Sequence, residues 1–318
     1  MRMLQPFAGF LAGLWLVGTY PALADDTLRI AVGQRGLWDT SVVELGQRGG
    51  IFRKHGITLD ILYTQGGGET QQAVISGGVE VGVSAGSMGV FGAYSKGAPL
   101  RVIGAEMTGG ADLFWYVRSD SSIRTLRDVD GKTIAYSTNG ASTHAIVNAF
   151  IKQYGLKAKP VATGNPPSTL TQVMSGQVDV GWAGPPFGLD LIDQGKIRII
   201  ANGNDATRLK DLTVRVLITN AATLQARQPA IEHFMKAYRE TVDWMYADSE
   251  VFRHYSEFLG ISEATGQRSR DGFYPKAALN PDTIVGIDDI NADAVEFKYM
   301  AAPLTREQLA ELIRIPPR

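Results

Sequence analysis

The chain is predicted to be a two-lobed α/β protein, each lobe a mainly parallel sheet flanked by helices, with two crossings between the lobes. Three observations lead there. The sequence repeats itself at an offset of 99 residues. Each copy alternates strand and helix signals. The length of 318 residues is more than one compact core needs and suits two.

The repeat is ungapped. Ser76-Gly77-Gly78-Val79-Glu80-Val81-Gly82 falls on Ser175-Gly176-Gln177-Val178-Asp179-Val180-Gly181, five of the seven positions being identical. The same offset pairs Gly56 with Gly155, Thr70 with Thr169 and Val74 with Val173. A shared offset over such a span points to two copies of one supersecondary unit.

Each copy reads in the same order. A helix ends at a glycine, Gly56 or Gly155, the residue that tolerates the left-handed conformation of a helix C-terminus. A strand follows, over 58–63 or 157–162. Next comes a turn, Gly66-Gly67-Gly68 in one copy and Asn165-Pro166-Pro167 in the other. A short helix then runs to Ser76-Gly77 or Ser175-Gly176, and a second strand begins at Val79 or Val178. Strands over 28–32 and 133–136 precede the two copies. Stretches 113–118 and 215–219 read as strands that cross between lobes. Helical patterns follow over 228–246 and 249–259, with weaker ones over 282–289 and 306–313, all expected to brace the first lobe. Lobe one is therefore expected over 25–110 and 220–318, and lobe two over 111–219.

The first 24 residues read as a cleavable export signal: Arg2, an apolar run over 7–17, and Ala22-Leu23-Ala24 as a small-x-small cleavage site before Asp25. The run is shorter than the roughly 20 residues of a membrane anchor. The expectation is an exported, soluble, monomeric protein of the periplasm. The chain has no cysteine, which excludes disulfides, a thiolate nucleophile and a lipoprotein anchor. With 31 basic and 32 acidic residues the net charge is −1, so no global field favours nucleic acid or an anionic membrane.

Four stretches carry a family resemblance: Arg29-Ile30-Ala31-Val32-Gly33, Gly49-Gly50-Ile51-Phe52-Arg53-Lys54-His55-Gly56, Asp130-Gly131-Lys132-Thr133-Ile134-Ala135-Tyr136-Ser137, and Val178-Asp179-Val180-Gly181-Trp182. The chain resembles the periplasmic substrate-binding proteins of ABC importers with the type II fold, in the branch that includes sulfonate, taurine, nitrate and thiamine-pyrimidine binders. The resemblance implies capture of a small molecule by lobe closure and delivery to an ABC permease in the inner membrane.

Ligands of open parallel sheets bind beyond the carboxyl ends of the strands, where helices begin with unpaired N–H groups. Four turns qualify. Gly36-Leu37-Trp38-Asp39-Thr40-Ser41 follows the first strand; its Leu37, Trp38 and Asp39 are candidates, Asp39 also suiting a helix cap and Trp38 standing either on the ligand or in the core. Ser84-Ala85-Gly86-Ser87 follows the strand from Val79, glycine allowing close backbone approach. The turn from Ser137 through Thr138, Asn139, Gly140, Ala141 and Ser142 to Thr143 is dense in hydroxyls, and in the resembling family such a turn grips the polar head of the ligand. Trp182-Ala183-Gly184-Pro185-Pro186-Phe187 offers Trp182 as an aromatic wall or a core residue. The Gly66-Gly67-Gly68-Glu69-Thr70 stretch lacks the lysine of a P-loop and reads as a plain turn. Arg35 and Glu106 read as solvated loop residues, and His144 as structural.

No catalytic or metal centre is expected. The four histidines form no close pair, and no Gly-x-Ser-x-Gly elbow occurs. The branch that makes the thiamine pyrimidine uses a cysteine-rich motif absent here. The expected function is binding of a small organic anion such as an aliphatic sulfonate, without cofactor. A nitrogenous heterocycle is the alternative ligand. A synthase of the pyrimidine-making branch, or a sensory input module, is the alternative class.

Overall fold

The computed structural model describes residues 26–318. The expected export signal lies outside the described residues. The first sheet and its cover are built from β1 (Asp26–Gly33), α1 (Val42–Arg48), α2 (Ile51–Lys54), β2 (Ile57–Thr64), α3 (Gly67–Ile75), β3 (Val81–Gly86), α4 (Ser87–Ser95) and β4 (Leu100–Thr108). The second contains β5 (Phe114–Arg118), β6 (Thr133–Tyr136), α5 (Ser142–Tyr154), β7 (Lys159–Ala162), α6 (Pro166–Met174), β8 (Gly181–Ala183), α7 (Leu189–Asp193) and β9 (Ile197–Asn202). The chain then returns through β10 (Thr213–Asn220) to α8 (Ala221–Ala226), α9 (Gln228–Ala247), α10 (Glu250–Leu259), α11 (Glu263–Phe273), α12 (Ile287–Glu296) and α13 (Arg306–Leu312).

The first sheet has the order β2-β1-β3-β10-β4. β1 is parallel to β2 and β3, and β10 is antiparallel to β3 and β4. The second lobe reproduces this arrangement. β6 and β7 are parallel, β5 is antiparallel to β8 and β9, and a parallel bridge Ile134–Val180 joins the two groups. Its order is thus β7-β6-β8-β5-β9. This is the type II fold of periplasmic binding proteins, α/β with two lobes.

The repeat is visible in three dimensions. α3 and α6 have the same bounds after the 99-residue shift. Gly77 and Gly176 both take left-handed backbone, with φ of 74° and 77°. Glu80 and Asp179 do one job: each carboxylate accepts the backbone N–H of the neighbouring first strand, from Arg29 and Thr133. Thr64 and Thr70 share a hydroxyl hydrogen bond at 2.9 Å, and Thr163 and Thr169 share its counterpart at 2.6 Å.

Two details depart from the sequence reading. The stretches expected to cross between lobes are members of the sheets. β5 pairs within the second sheet, and β10, which falls inside the 111–219 range, pairs with β3 and β4 of the first. The crossings themselves are the short connections on either side, and they touch. Gly109 N–H donates to Leu212 O and Gly203 N–H to Leu113 O, both at 2.8 Å. A side-chain carbon at Gly203 would stand 2.3 Å from Gly110 O, so the backbones approach as closely as glycine permits. The other departure is α11, which replaces an expected connection, while the helix expected over 282–289 begins later, as α12.

Two apolar clusters form the interior. One packs Phe52, Phe234, Tyr238, Phe252 and Tyr255 from α2, α9 and α10 onto one face of the first sheet. The other runs from the opposite face, through Met88 and Phe91 of α4, into the second lobe around Trp115, Phe150 and Trp182. α9 forms because its apolar residues recur at helical spacing. Ile231, Phe234, Met235, Tyr238, Val242 and Met245 are all buried on one side.

Candidate functional site

The site lies where the first-sheet loops meet the start of α5. β1 ends at Gly33, and Gln34 turns the chain with φ of 104°. Thr40 Oγ1 donates to Gln34 O at 2.8 Å and fixes that turn. Ser84, in β3, also has a left-handed φ of 67°. Its N–H donates to Glu106 Oε2 at 2.5 Å. A left-handed backbone at a non-glycine residue costs of order 1–3 kcal/mol and concentrates at ligand sites.

Arg215, on β10, is the central charge. It is only 3% exposed. Its Nη2 donates to Asp112 Oδ2 at 2.6 Å, and its Nε stands 2.9 Å from Asp39 Oδ2 without hydrogen-bond alignment. Its Nη1 reaches Ser142 Oγ of the second lobe at 3.4 Å. Burial works against the guanidinium charge, but Asp112, Asp39 and Glu106 outweigh it and hold Arg215 ionised. Burial pushes the Asp112 carboxyl up to about 7, against the pull of Arg215. Burial, reinforced by the charge of Asp39, raises Glu106 well above the usual carboxylate range.

In front of Arg215 is a small cavity of about 20 Å³. Its polar walls are Gln34, Ser84, Ser137, Ser142, Thr143 and Arg215, and Leu37, Leu113 and Trp182 supply the apolar ones. The starts of α3, at Gly67, and of α5, at Ala141 and Ser142, border it. Trp182 is 1% exposed and its indole N–H has no partner, as is true of Gln34 Oε1. The lining residues thus carry a guanidinium, an unpaired indole N–H, four hydroxyls and two helix starts, beside the unpaired Gln34 oxygen. That set suits an acceptor-rich anionic head. At this volume the cavity holds about one water.

The structure gathers Leu37, Ser84, Ser137, Ser142, Thr143 and Trp182 at this cavity. Thr138 and Gly140 instead make the contact between lobes: Thr138 Oγ1 accepts Gly68 N–H at 3.0 Å, and Gly140 O accepts Gln71 Nε2 at 3.3 Å. Ala85 is buried in β3, and Gly86 and Ser87 face the same junction, where a side-chain carbon on Gly86 would meet Gly140 O at 2.3 Å. Asp39 does not cap α1; it orients Arg215 from behind. Trp38 stands away from the cavity, its ring edge-on to Tyr255 at 5.1 Å and tilted on Phe252 at 5.8 Å. The apolar contact with α10 outweighs a solvent-facing cleft position for so large a ring.

Several residues read as peripheral are not. Glu106 is 2% exposed rather than solvated, held by Ser84 N–H. Arg35, by contrast, is exposed as expected of a loop arginine, with Nη2 donating to Phe258 O at 2.8 Å and the guanidinium 4.3 Å over the Phe258 ring. The Gly66-Gly67-Gly68 turn is a contact element, because a side-chain carbon at Gly68 would lie 2.0 Å from Asn139 O. The signal for it was the contrast with Asn165-Pro166-Pro167 at the same place in the second copy. Arg215 carried a signal too, as the one charge inside the apolar strand Thr213–Asn220. His144 is structural: it stacks on Tyr136 at 4.4 Å, its Nδ1 lies 3.0 Å from Tyr299 OH, and burial lowers its pKa to about 4. Among the described residues no His, Cys, Asp and Glu cluster suits a metal ion, and no helix is long and apolar enough to cross a membrane.

Residues 41–251 match the NMT1/THI5 like family. The chain belongs to that family. Among curated proteins this family member is similar to the 4-amino-5-hydroxymethyl-2-methylpyrimidine phosphate synthases THI5, THI12 and THI13 of Saccharomyces cerevisiae, each 20% identical over 231 residues. The match covers 67% of this chain and 66% of theirs, so the chain spans just under two thirds of the length of these relatives. Among solved structures it is similar to the alkanesulfonate-binding protein SsuA from Xanthomonas axonopodis pv. citri bound to MOPS. The TM-score is 0.76 at 20% identity, over 91% of this chain and 98% of that one. The periplasmic aliphatic sulphonate binding protein SsuA from Escherichia coli matches with TM-score 0.69 and 18% identity, over 92% and 93%. The periplasmic nitrate-binding protein NrtA from Synechocystis PCC 6803 gives 0.70 and 14%, over 91% and 86%. At these identities the likeness establishes the shared fold.

Proposed function

We propose that the protein is an exported solute receptor: its lobes close on a small organic anion, which it presents to an ABC permease. The observation that carries this reading is the guanidinium of Arg215, which lines a buried cavity together with an unpaired Trp182 indole N–H, hydroxyls and two helix starts. Asp39 and Asp112 hold Arg215 from behind, and Ser142 and Thr143 reach the ligand from the other lobe. The neighbouring SsuA proteins, named for sulfonates, support the anion. Binding without turnover is the favoured class, since no nucleophile here is paired with a base and the cysteine-rich motif of the synthase branch is missing.

One observation favours a second ligand. Gln34 lines the cavity and keeps a buried side-chain oxygen without a hydrogen-bond partner. A nitrogenous heterocycle with several N–H groups would satisfy such an acceptor. A thermal-shift screen of the mature protein separates the two. The anion reading expects stabilisation by sulfonates or carboxylates, and loss of about tenfold or more in affinity in Ser142→Ala and Thr143→Ala, as for hydrogen bonds to a charged group. Stabilisation by amines and aminopyrimidines alone overturns it.

A further inference from the structure

Behind the cavity, Arg215 is shared by three carboxyl groups. Asp112, between β4 and β5, accepts from its Nη2 at 2.6 Å, and Asp39, after β1, stands 2.9 Å from its Nε. Glu106 of β4 acts on the same guanidinium, with its Oε2 accepting Ser84 N–H. All four side chains are at most 3% exposed. The other ionisable groups packed around them are the phenols of Tyr238 and Tyr246 on α9, Tyr255 on α10 and Tyr274 after α11, which burial keeps neutral. Arg270 and Asp271, paired with each other at 2.7 Å, stand beyond Tyr246. Three ionised carboxylates against one guanidinium would leave two uncompensated negative charges away from water, so the layer keeps a proton. Glu106 is the group that holds it, raised well above the carboxylate range by burial and by the charge of Asp39. Asp39 and Asp112 then still outnumber Arg215. The guanidinium that faces the cavity is already matched from behind, and an anion set before it adds a second uncompensated charge.

We propose that the site takes its anion together with one proton, held by Asp112. The inference rests on the anion reading. On binding, a proton from solvent converts the Asp112 carboxylate to the acid, and Arg215 turns its charge from the aspartate to the ligand. On release both leave. Asp112 is the carboxyl poised for this, since burial brings it up to about 7, against the pull of Arg215. Below that pH it already carries its proton and affinity is level. Above it the proton must be taken up with the anion, and affinity falls by up to about tenfold per pH unit.

Calorimetric titration of the mature protein with butanesulfonate and with butyrate tests it; both stay ionised at the pH values used and bring no proton of their own. Tris and triethanolamine serve as buffers, being cations that do not compete for an anion site and that differ in ionisation heat. At pH 8 the difference in binding heat between them is expected to correspond to uptake of about 0.5–1 proton per anion. Affinity is expected to fall about five- to tenfold between pH 7.5 and 8.5. In Asp112→Asn both effects should vanish; Asp112→Ser replaces it should the amide not fold. Uptake undiminished in the folded variant overturns the assignment to Asp112. Binding heat independent of buffer, with affinity flat over that range in the unmodified protein, overturns the inference and leaves the anion reading standing. Failure of both anions to bind overturns both.

Discussion

The two copies of the repeat share a skeleton and differ in what they offer the cleft. α3 and α6 start at equivalent positions, and the hydroxyl pairs Thr64–Thr70 and Thr163–Thr169 tie each helix to its preceding strand in the same way. The turns before the helices diverge. Gly66-Gly67-Gly68 lets backbone meet backbone, with Gly68 N–H on Thr138 Oγ1 of the other lobe. Asn165-Pro166-Pro167 caps α6 through Asn165 Oδ1 and presents proline rings to an apolar chamber. The duplicated scaffold is thus indifferent to chemistry. One copy supplies closeness and the other supplies apolar surface.

The antiparallel strands differ still more. β5 carries its cation, Arg118, at an exposed end beside Asp120, and β10 carries Arg215 buried near its start. The largest expected effect follows. Arg215→Met leaves buried carboxylates without a counter-charge and should lower unfolding free energy by about 3–5 kcal/mol in urea titrations at pH 7.5. Arg118→Met, on a surface pair, should stay within about 0.5 kcal/mol. Equal effects would remove the distinction between the strands.

The turns are compared next. Gly68→Ala places a methyl against Asn139 O and should oppose closure by about 1–3 kcal/mol, read as a ten- to hundredfold loss of ligand affinity with little change in the melting temperature. Pro167→Ala, the equivalent position, should leave affinity within about twofold. A Gly68→Ala protein that binds normally would show that the lobes do not need this approach.

pH gives a third comparison. Asp112 titrates near 7 when folded and lower when unfolded, so its protonated form is favoured by folding. Its burial cost is absent below the unfolded value near 4 and fully present above about 7, so this group makes stability fall as pH rises between them. His144, lowered to about 4, acts in the opposite sense: its neutral state is favoured when folded, and stability is lost as pH falls from about 6.5 towards 4. Denaturation at pH 5.5 and 7.5 should show Asp112→Asn gaining stability relative to the parent at the higher pH, by about 1–2 kcal/mol. No change in the difference between the two pH values would place Asp112 outside this role.

The smallest effect concerns the hydroxyl pairs. Thr70→Val and Thr169→Val should each cost about 0.5–1.5 kcal/mol, as expected for one buried hydrogen bond. Near-equal values from thermal melts support equivalent copies, and a large difference would argue that one pair has been recruited to binding.

The scaffold was legible because it is written locally and twice. Gly56, Gly77, Gly155 and Gly176 mark helix ends with left-handed backbone, and Glu80 and Asp179 recur in one role. The hydroxyl turn from Ser137 to Thr143 could likewise be placed, since helix starts follow strand ends. Charges were harder. Arg215 meets Asp112 across more than a hundred residues of sequence, and Glu106 is paired to a backbone N–H of another strand, so neither contact has a local pattern. Trp38 is decided by α9 and α10, far along the chain. α11 was missed because its segment is polar, contains two glycines and buries only Gly266 and Ser269, so apolar periodicity is lacking.

The adjoining connections at Gly110 and Gly203 have a mechanical consequence. Because the two backbones are laid side by side and clipped by Gly109 N–H and Gly203 N–H, neither can bend without the other. They behave as a single leaf spring, which leaves the halves of the molecule one arc to travel and resists shear or screw motion. Widening either glycine would stiffen that spring.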